Sequence, residues 1–272
     1  MSPTRISKRF QQLREKDEPG LVAYITAGDP SLERTPDLVF ALERGGADFI
    51  ELGVPFSDPI ADGPVIQRGS ARALANGTNV AKVLDIARRI REKSQIPLLL
   101  FSYMNPLLRY GFDRLAIDAV AAGIDGCLLT DLSVEEAEHH LGALRTAGLD
   151  TVFLAAPTSP PERLALVARY STGFIYLVSR TGVTGEQDSV SDAVGPLVAA
   201  TRKLTPLPLA VGFGIAKAKD AAVVGAIAEA VVVGSAFVRL IENNAASPDL
   251  DTKLEALARE LKQGAVSARK KS

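Results

Sequence analysis

Three observations in the 272-residue chain predict an α/β fold closed into a (β/α)8, or TIM, barrel. Short apolar, β-branched runs recur along its length, helical patterns lie between them, and no glycine- or serine-rich linker separates the units. Eight such runs begin near Leu21, Asp48, Pro97, Asp125, Asp150, Gly173, Leu207 and Ala230. A doubly wound sheet usually has fewer strands, so eight uninterrupted βα units favour one closed barrel over residues 1–272.

Ahead of the first strand, Arg5 to Lys16 reads as an extra amphipathic helix placed to cover the bottom of the barrel. After that strand, Thr35-Pro36 has the form of a cap followed by proline at the first helical position. The second strand, Asp48 to Val54, alternates. Ile50, Leu52 and Val54 share the face that packs beneath helices, while Phe49, Glu51 and Gly53 point into the barrel. Ser133-Val-Glu-Glu136 and Ser159-Pro-Pro-Glu162 each set a capping serine three residues ahead of a glutamate, opening the helices after strands four and five. After the eighth strand, Val233-Gly234-Ser235 leads into a short helix in the position where barrels hold phosphate. Two intervals between strand starts exceed the rest, Asp48 to Pro97 and Gly173 to Leu207. Their surplus falls in loops or extra helices, and the loops after strand ends form the active face of a barrel.

The balance of the chain excludes several function classes. Apolar residues make up 47% and charged residues 23%, and the net charge of −1 gives no pull toward nucleic acid or an anionic membrane. The basic run Arg269-Lys270-Lys271 reads as a solvated terminus. The single cysteine, Cys127, rules out an internal disulfide and lies in an apolar run that makes it a buried thiol. The first residues lack the apolar core of a secretory signal, and no stretch reaches the ~18 apolar residues that span a bilayer. A cytoplasmic location is expected.

The chemistry points to carboxylates. Glu51 sits on a barrel-facing strand position, where burial is costly and raises a carboxyl toward the acid/base range, unless backbone or water satisfies it structurally. Asp58 and Asp62 follow in the loop Pro55–Gly63, and Asp62 either faces the site or caps the helix beginning at Gly63-Pro64. Gly212-Phe213-Gly214 after strand seven, Gly234-Ser235 after strand eight and Thr184-Gly185 after strand six could supply backbone N–H groups to a phosphate, or could simply be tight turns. No lysine falls within a predicted strand, so a Schiff-base aldolase lacks its amine. His139 and His140 are adjacent on a helix and point about 100° apart, which makes them poor co-ligands for a metal. No G-x-G-x-x-G follows the first strand.

The segment Ile50-Glu-Leu-Gly-Val-Pro-Phe-Ser-Asp-Pro-Ile-Ala-Asp-Gly-Pro64 resembles the signature of the tryptophan synthase alpha subunit family. The likeness extends through Tyr24–Pro30, Tyr103-Met-Asn-Pro106, Ser179–Gly185 and Gly212–Gly214 to Val233–Ser235, nearly the whole chain in order. It implies retro-aldol cleavage of indole-3-glycerol phosphate to indole and glyceraldehyde 3-phosphate in L-tryptophan biosynthesis. By resemblance, Glu51 is the acid/base and Asp62 holds the indole N–H. Gly185, Gly214, Gly234 and Ser235 hold the phosphate, while Tyr24, Tyr103, Leu128 and Phe213 line the indole pocket. Tyr176 lies near the glycerol part, and Thr184 positions the aspartate on loop closure. The resemblance also implies a beta subunit partner in an alpha2-beta2 assembly, docked on Pro55 to Asp58 and Asn105, with pyridoxal phosphate in that partner and no cofactor or metal in this chain. One departure is Ser133 after Asp131-Leu132, where many bacterial members have proline. It is expected to add a helix cap but loosen the backbone in a region tied to inter-subunit signalling. Two other readings remain open at this point: a stand-alone lyase releasing free indole, and a non-catalytic module that activates a partner.

Overall fold

The computed structural model describes residues 3–178, 191–212 and 214–269. Nine parallel strand segments form one sheet: β1 (Gly20–Thr26), β2 (Phe49–Gly53), β3 (Leu98–Ser102), β4 (Gly126–Leu129), β5 (Asp150–Val152), β6 (Leu154–Ala155), β7 (Ile175–Val178), β8 (Leu209–Gly212) and β9 (Ala230–Val233). Their spatial order is β5-β4-β3-β2-β1-β9-β8-β7-β6. The two ends of that order, β5 and β6, are consecutive in the chain and flank Phe153, whose carbonyl accepts a bond from Tyr176 N–H at 3.1 Å. The sheet therefore closes on itself as the expected barrel. The fifth predicted strand is present but divided in two.

Alternation along the strands sorts the core into two shells. Ala23, Ile25, Ile50, Leu52, Leu98 and Leu100 face outward into the layer shared with the helices. Val22, Phe49, Leu99, Leu128 and Val152 face inward. The N-terminal helix Arg5–Glu15 closes the bottom, burying Ile6, Phe10 and Leu13. Phe10 stacks on Phe49 with ring centroids 4.4 Å apart, a placement that offset stacking favours beyond the ~1.5–3 kcal/mol of burying one such ring.

Acidic residues at the lower rim hold this plug in place. Asp48 accepts the Leu21 N–H at 2.7 Å and pairs with Arg9 and Lys262 at 2.7 and 2.9 Å. Asp125 accepts the Leu98 N–H at 2.8 Å and pairs with Arg5 and Arg91. Thr4 donates to Asp150 at 2.6 Å. Each of Asp48 and Asp125 thus satisfies an N–H at the start of the preceding strand and anchors the helix beneath it.

Three expected caps are used differently. Thr35 is the first residue of helix Thr35–Arg44, and its Oγ1 accepts the Gly28 N–H at 3.0 Å, fixing the turn after β1. The helix Pro161–Tyr170 is capped by Pro160, and Ser159 Oγ instead accepts the Ala156 N–H. Ser133 opens only a three-residue 3-10 turn and makes no side-chain bond to its backbone, because its hydroxyl is engaged with the Glu135 carboxylate. After β9 comes the anticipated extra helix, ten residues long (Ser235–Asn244), before the final helix Leu250–Ser267.

Candidate active site

Strand period places Glu51 in the barrel interior, between Phe49 below and Gly53 above. It is 1% exposed, and its Oε1 has no hydrogen-bond partner among the described residues. Burial pushes its carboxyl up to about 8, with no cation among the described residues acting against it. A structural glutamate would be satisfied by its surroundings; this one is held toward its neutral form, and its Oε1 meets no acceptor or donor among the described residues.

Asp62 lies in the loop between β2 and helix Pro64–Ala75. The N-cap of that helix is Gly63, with no side-chain cap bond, so the carboxylate of Asp62 is not used as a cap. The loop is fixed from several directions. Asp62 N–H donates to Pro59 at 3.0 Å, Gln67 Nε2 donates to the Asp62 carbonyl at 2.8 Å, and Ala61 N–H donates to the Tyr103 hydroxyl at 2.9 Å. Burial raises the Asp62 carboxyl to about 6, opposed by the Tyr103 hydroxyl. At pH 7 the two carboxyl groups therefore stand in opposite states, Glu51 mainly protonated and Asp62 mainly ionised.

Both line a cavity of about 340 Å³ at the C-terminal ends of the strands. Of the residues singled out in the sequence, Tyr24, Tyr176, Gly214, Gly234 and Ser235 also line it. Tyr24 meets Phe101 edge-on at 5.0 Å. Two inward glycines make room for the tyrosines. A Cβ on Gly53 would lie 2.3 Å from the Tyr24 hydroxyl oxygen, and one on Gly212 would lie 2.2 Å from that of Tyr176. Gly212 is thus required by a side chain of the adjacent strand. At the far wall Gly214 adopts φ +81°, and Gly234 caps the helix that begins at Ser235, leaving first-turn N–H groups available to an anion.

Two expected pocket residues stand elsewhere. Tyr103 lies behind the Asp62 loop, which it holds, and is not part of the cavity wall. Leu128 is fully buried in the inner barrel layer with Leu99 and Val152. Thr184, Gly185 and Phe213 lie outside the described residues. The cavity wall also includes Val65, Ile66, Phe101, Ile215 and Val232, which make it largely apolar, and Arg239. Phe101 was legible in principle, because it is two residues beyond Leu99 on the inward face of β3 and pairs with Gly53. Arg239 lies one helical turn after Ser235, a spacing that sequence alone could also have flagged.

The segments Pro55–Ser57 and Asn105–Pro106 come together around a second, open cleft of about 480 Å³, flanked by Leu74, Arg109 and Tyr110. Asp131 stands beside it and accepts the Met104 N–H at 2.7 Å, at the start of helix Met104–Tyr110. Among the described residues, no group of three or more His, Cys, Asp or Glu could hold a metal ion, and no helix is long and apolar enough to cross a membrane.

A closed barrel presenting a deeply buried glutamate and a loop aspartate to one largely apolar cavity, with a glycine-framed helix N-terminus at its wall, defines an acid/base enzyme for a small molecule. Comparison with known proteins makes this specific. The family model for the tryptophan synthase alpha chain matches residues 10–266. The tryptophan synthase alpha chain of Solibacter usitatus is 65% identical over 261 residues, covering 96% of this chain and 98% of the relative. That of Methanosarcina mazei is 46% identical over 265 residues, covering 97% and 95%. The crystal structure of tryptophan synthase subunit alpha from Legionella pneumophila superposes with a TM-score of 0.87 at 36% identity, over 97% of this chain and 99% of that one. A chain of Mycobacterium tuberculosis tryptophan synthase gives 0.89 at 35% identity, over the same shares. The chain belongs to the tryptophan synthase alpha chain family, lyases that catalyse the alpha reaction of tryptophan biosynthesis.

Proposed function

We propose that this chain cleaves indole-3-glycerol phosphate to indole and glyceraldehyde 3-phosphate, with Glu51 and Asp62 as its two catalytic groups. The observation that carries the reading is the buried carboxyl of Glu51, raised to about 8 and with Oε1 unpartnered among the described residues, facing the same cavity as Asp62, whose carboxyl lies near 6. Glu51 gives its proton to C3 of the indole ring. The resulting indolenine carries positive charge at nitrogen, and the Asp62 carboxylate stabilises it. The bond between C3 and the glycerol carbon then breaks. Its electron pair returns to the ring, the carbinol becomes an aldehyde, and the hydroxyl proton passes to the Glu51 carboxylate, which restores the starting state.

In this reading the phosphate lies at Gly214, Gly234 and Ser235; Gly185, which the family resemblance adds to this set, lies outside the described residues. The ring lies between Tyr24 and Phe101, with Tyr176 toward the glycerol part. The surface from Pro55 to Asp58 with Asn105, around the open cleft, receives a beta subunit in an alpha2-beta2 assembly, and pyridoxal phosphate belongs to that partner. A cytoplasmic location suits a reaction on small phosphorylated metabolites.

The test is turnover of indole-3-glycerol phosphate by the wild-type chain and by Glu51→Gln, with and without a beta subunit. Wild type should release both products, and Glu51→Gln should lose at least about a hundredfold in kcat, the lower end of what a positioned acid/base contributes. No cleavage by wild type under either condition would sink the assignment. Wild-type turnover unchanged by the beta subunit would point instead to a stand-alone lyase.

A further inference from the structure

Asp62 and the phosphate cradle stand at the starts of two different helices. Asp62 precedes helix Pro64–Ala75 by two residues, and Gly234 caps helix Ser235–Asn244. A substrate with a ring at one end and a phosphate at the other must reach both. The spacing of these two helices is therefore a dimension of the active site.

The helices approach closely at Gly69. A Cβ there would lie 3.0 Å from Val238 Cγ1 of the facing helix and 3.0 Å from Thr26 Oγ1 of β1. Beside that contact, charged side chains tie the same two helices together. Arg72 Nη1 donates to Glu242 Oε1 at 2.7 Å, and its Nε and Nη2 hold the two oxygens of Asp29 at 2.8 Å each. Arg68, one turn before Arg72, adds bonds of 2.7 and 2.9 Å to Glu242 from the more exposed side. Asp29 is 1% exposed and lies in the turn after β1, the strand that carries Tyr24. Three parts of the site, the Asp62 helix, the phosphate helix and the ring-binding strand, thus converge on the guanidinium of Arg72.

Exposed ion pairs do little, but this one is a fork on a buried carboxylate shared with a second acid, the geometry in which arginine fixes position as well as charge. Neither Arg72 nor Glu242 lines the cavity. Whatever they contribute to the reaction passes through the placement of other groups.

We propose that the Asp29–Arg72–Glu242 bracket is a positioning device that sets the distance between Asp62 and the phosphate cradle. It matches the site to the length of a two-ended substrate. The proposal rests on the reading of this chain as an indole-3-glycerol phosphate lyase, and it makes a distinction that stability alone does not. Loosening the bracket penalises a ligand that must touch both helices and spares one that touches a single helix.

The experiment uses full-length wild type, Glu242→Gln and Arg72→Lys, assayed well below their melting temperatures as read by circular dichroism. Two quantities are measured: steady-state turnover of indole-3-glycerol phosphate, and the Kd of glycerol 3-phosphate, a probe for the cradle alone. Glu242→Gln should lower kcat/KM by roughly ten- to a hundredfold, the scale of an ångström-sized misplacement, through both a higher KM and a lower kcat. Its Kd for glycerol 3-phosphate should stay within about twofold of wild type, on the same geometric argument. Arg72→Lys keeps the charge but loses the fork on Asp29, so its kcat/KM should fall at least as far as that of Glu242→Gln, again with the Kd for glycerol 3-phosphate little changed. Wild-type kinetics in both folded variants would overturn the proposal. So would a Kd for glycerol 3-phosphate that rises in parallel with KM, since the bracket would then only maintain the cradle. Wild type without turnover, alone or with a beta subunit, would remove the underlying reading and this proposal with it.

Discussion

Replacing Glu51 by glutamine should abolish activity and yet stabilise the protein, by an amount that grows with pH. An unfolded glutamate titrates near its ordinary value of 4.5, whereas burial holds the Glu51 carboxyl near 8 in the folded barrel. Between those values the folded state binds more protons than the unfolded state, so stability falls as pH rises through that window. Each pH unit inside it costs about 1.4 kcal/mol. Relative to the fully protonated state, the cost is about 1 kcal/mol at pH 5, about 3 at pH 7 and about 5 at pH 9, where the side chain has ionised in both states. Glutamine has the same shape and does not titrate. The difference between variant and wild type isolates this one group, because every other titrating residue is common to both.

The assay is urea unfolding of both proteins at pH 5, 7 and 9, followed by circular dichroism. The excess stability of Glu51→Gln should widen by about 4 kcal/mol between pH 5 and pH 9. Any constant offset from seating an amide beside Tyr24 cancels in that comparison. A difference that stays flat within about 1 kcal/mol across the range would refute the reasoning. It would mean that Glu51 is hydrated or paired in the folded state and does not enter the reaction as a neutral acid.

The same charge assignment predicts a bell-shaped pH dependence of kcat/KM for indole-3-glycerol phosphate, with limbs near 6 and 8 set by Asp62 and Glu51. Asp62→Asn should erase the acidic limb and lower kcat/KM by about 10²- to 10³-fold, the range for losing one charge-stabilising group. Gly53→Ala should cost about 1–3 kcal/mol and raise KM, since the new Cβ meets the Tyr24 ring edge and hydroxyl. Adding Tyr24→Phe, which removes the nearest atom, should restore part of the stability in a double-mutant cycle. Asp48→Ala should destabilise by about 2–4 kcal/mol in urea, because it strands the Leu21 N–H and two cations that are themselves only partly buried. The folded fraction should keep wild-type kcat/KM, since Asp48 lies at the opposite end of the barrel from the cavity.

Much of the barrel was legible because buried parallel strands are written as apolar runs with turn signals on either side. The run at Asp48 became β2 one residue later, and the runs at Asp150 and Ala230 start where β5 and β9 do. The division at Phe153 was not legible. Asp150-Thr-Val-Phe-Leu-Ala155 reads as one strand, and its alternation is intact, with Val152 inward and Phe153 outward. The break comes from stagger. The first half of the strand pairs with β4 and the second half with β7, and in a closed barrel those two registers need not overlap. Pairing of that kind depends on strands far away in sequence. Ser133 shows the same limit locally, since the spacing of a capping box cannot say that the serine hydroxyl will turn to Glu135 instead of the backbone.

The site was legible to the extent that function follows from depth. Glu51 was readable because strand period decides which way a side chain points, and the centre of a barrel leaves no water to ionise it. Asp62 was not, because a carboxylate two residues before a helix can cap it or leave it, and only the structure shows Gly63 occupying the cap. The glycines were the least readable. Gly212 reads as a turn or phosphate residue and Gly53 only as an inward strand position, yet each is needed by a tyrosine of an adjacent strand, Tyr176 and Tyr24. These facts belong together. The tyrosines that lean over the two glycines are walls of the cavity that keeps Glu51 dry, while the loop holding Asp62 leaves it half-buried and ionised. One carboxyl on a strand and one on a loop acquire different proton occupancies from the same cavity, and that difference gives the reaction its direction: the proton leaves from the deep group, and the charge it creates is met by the shallow one.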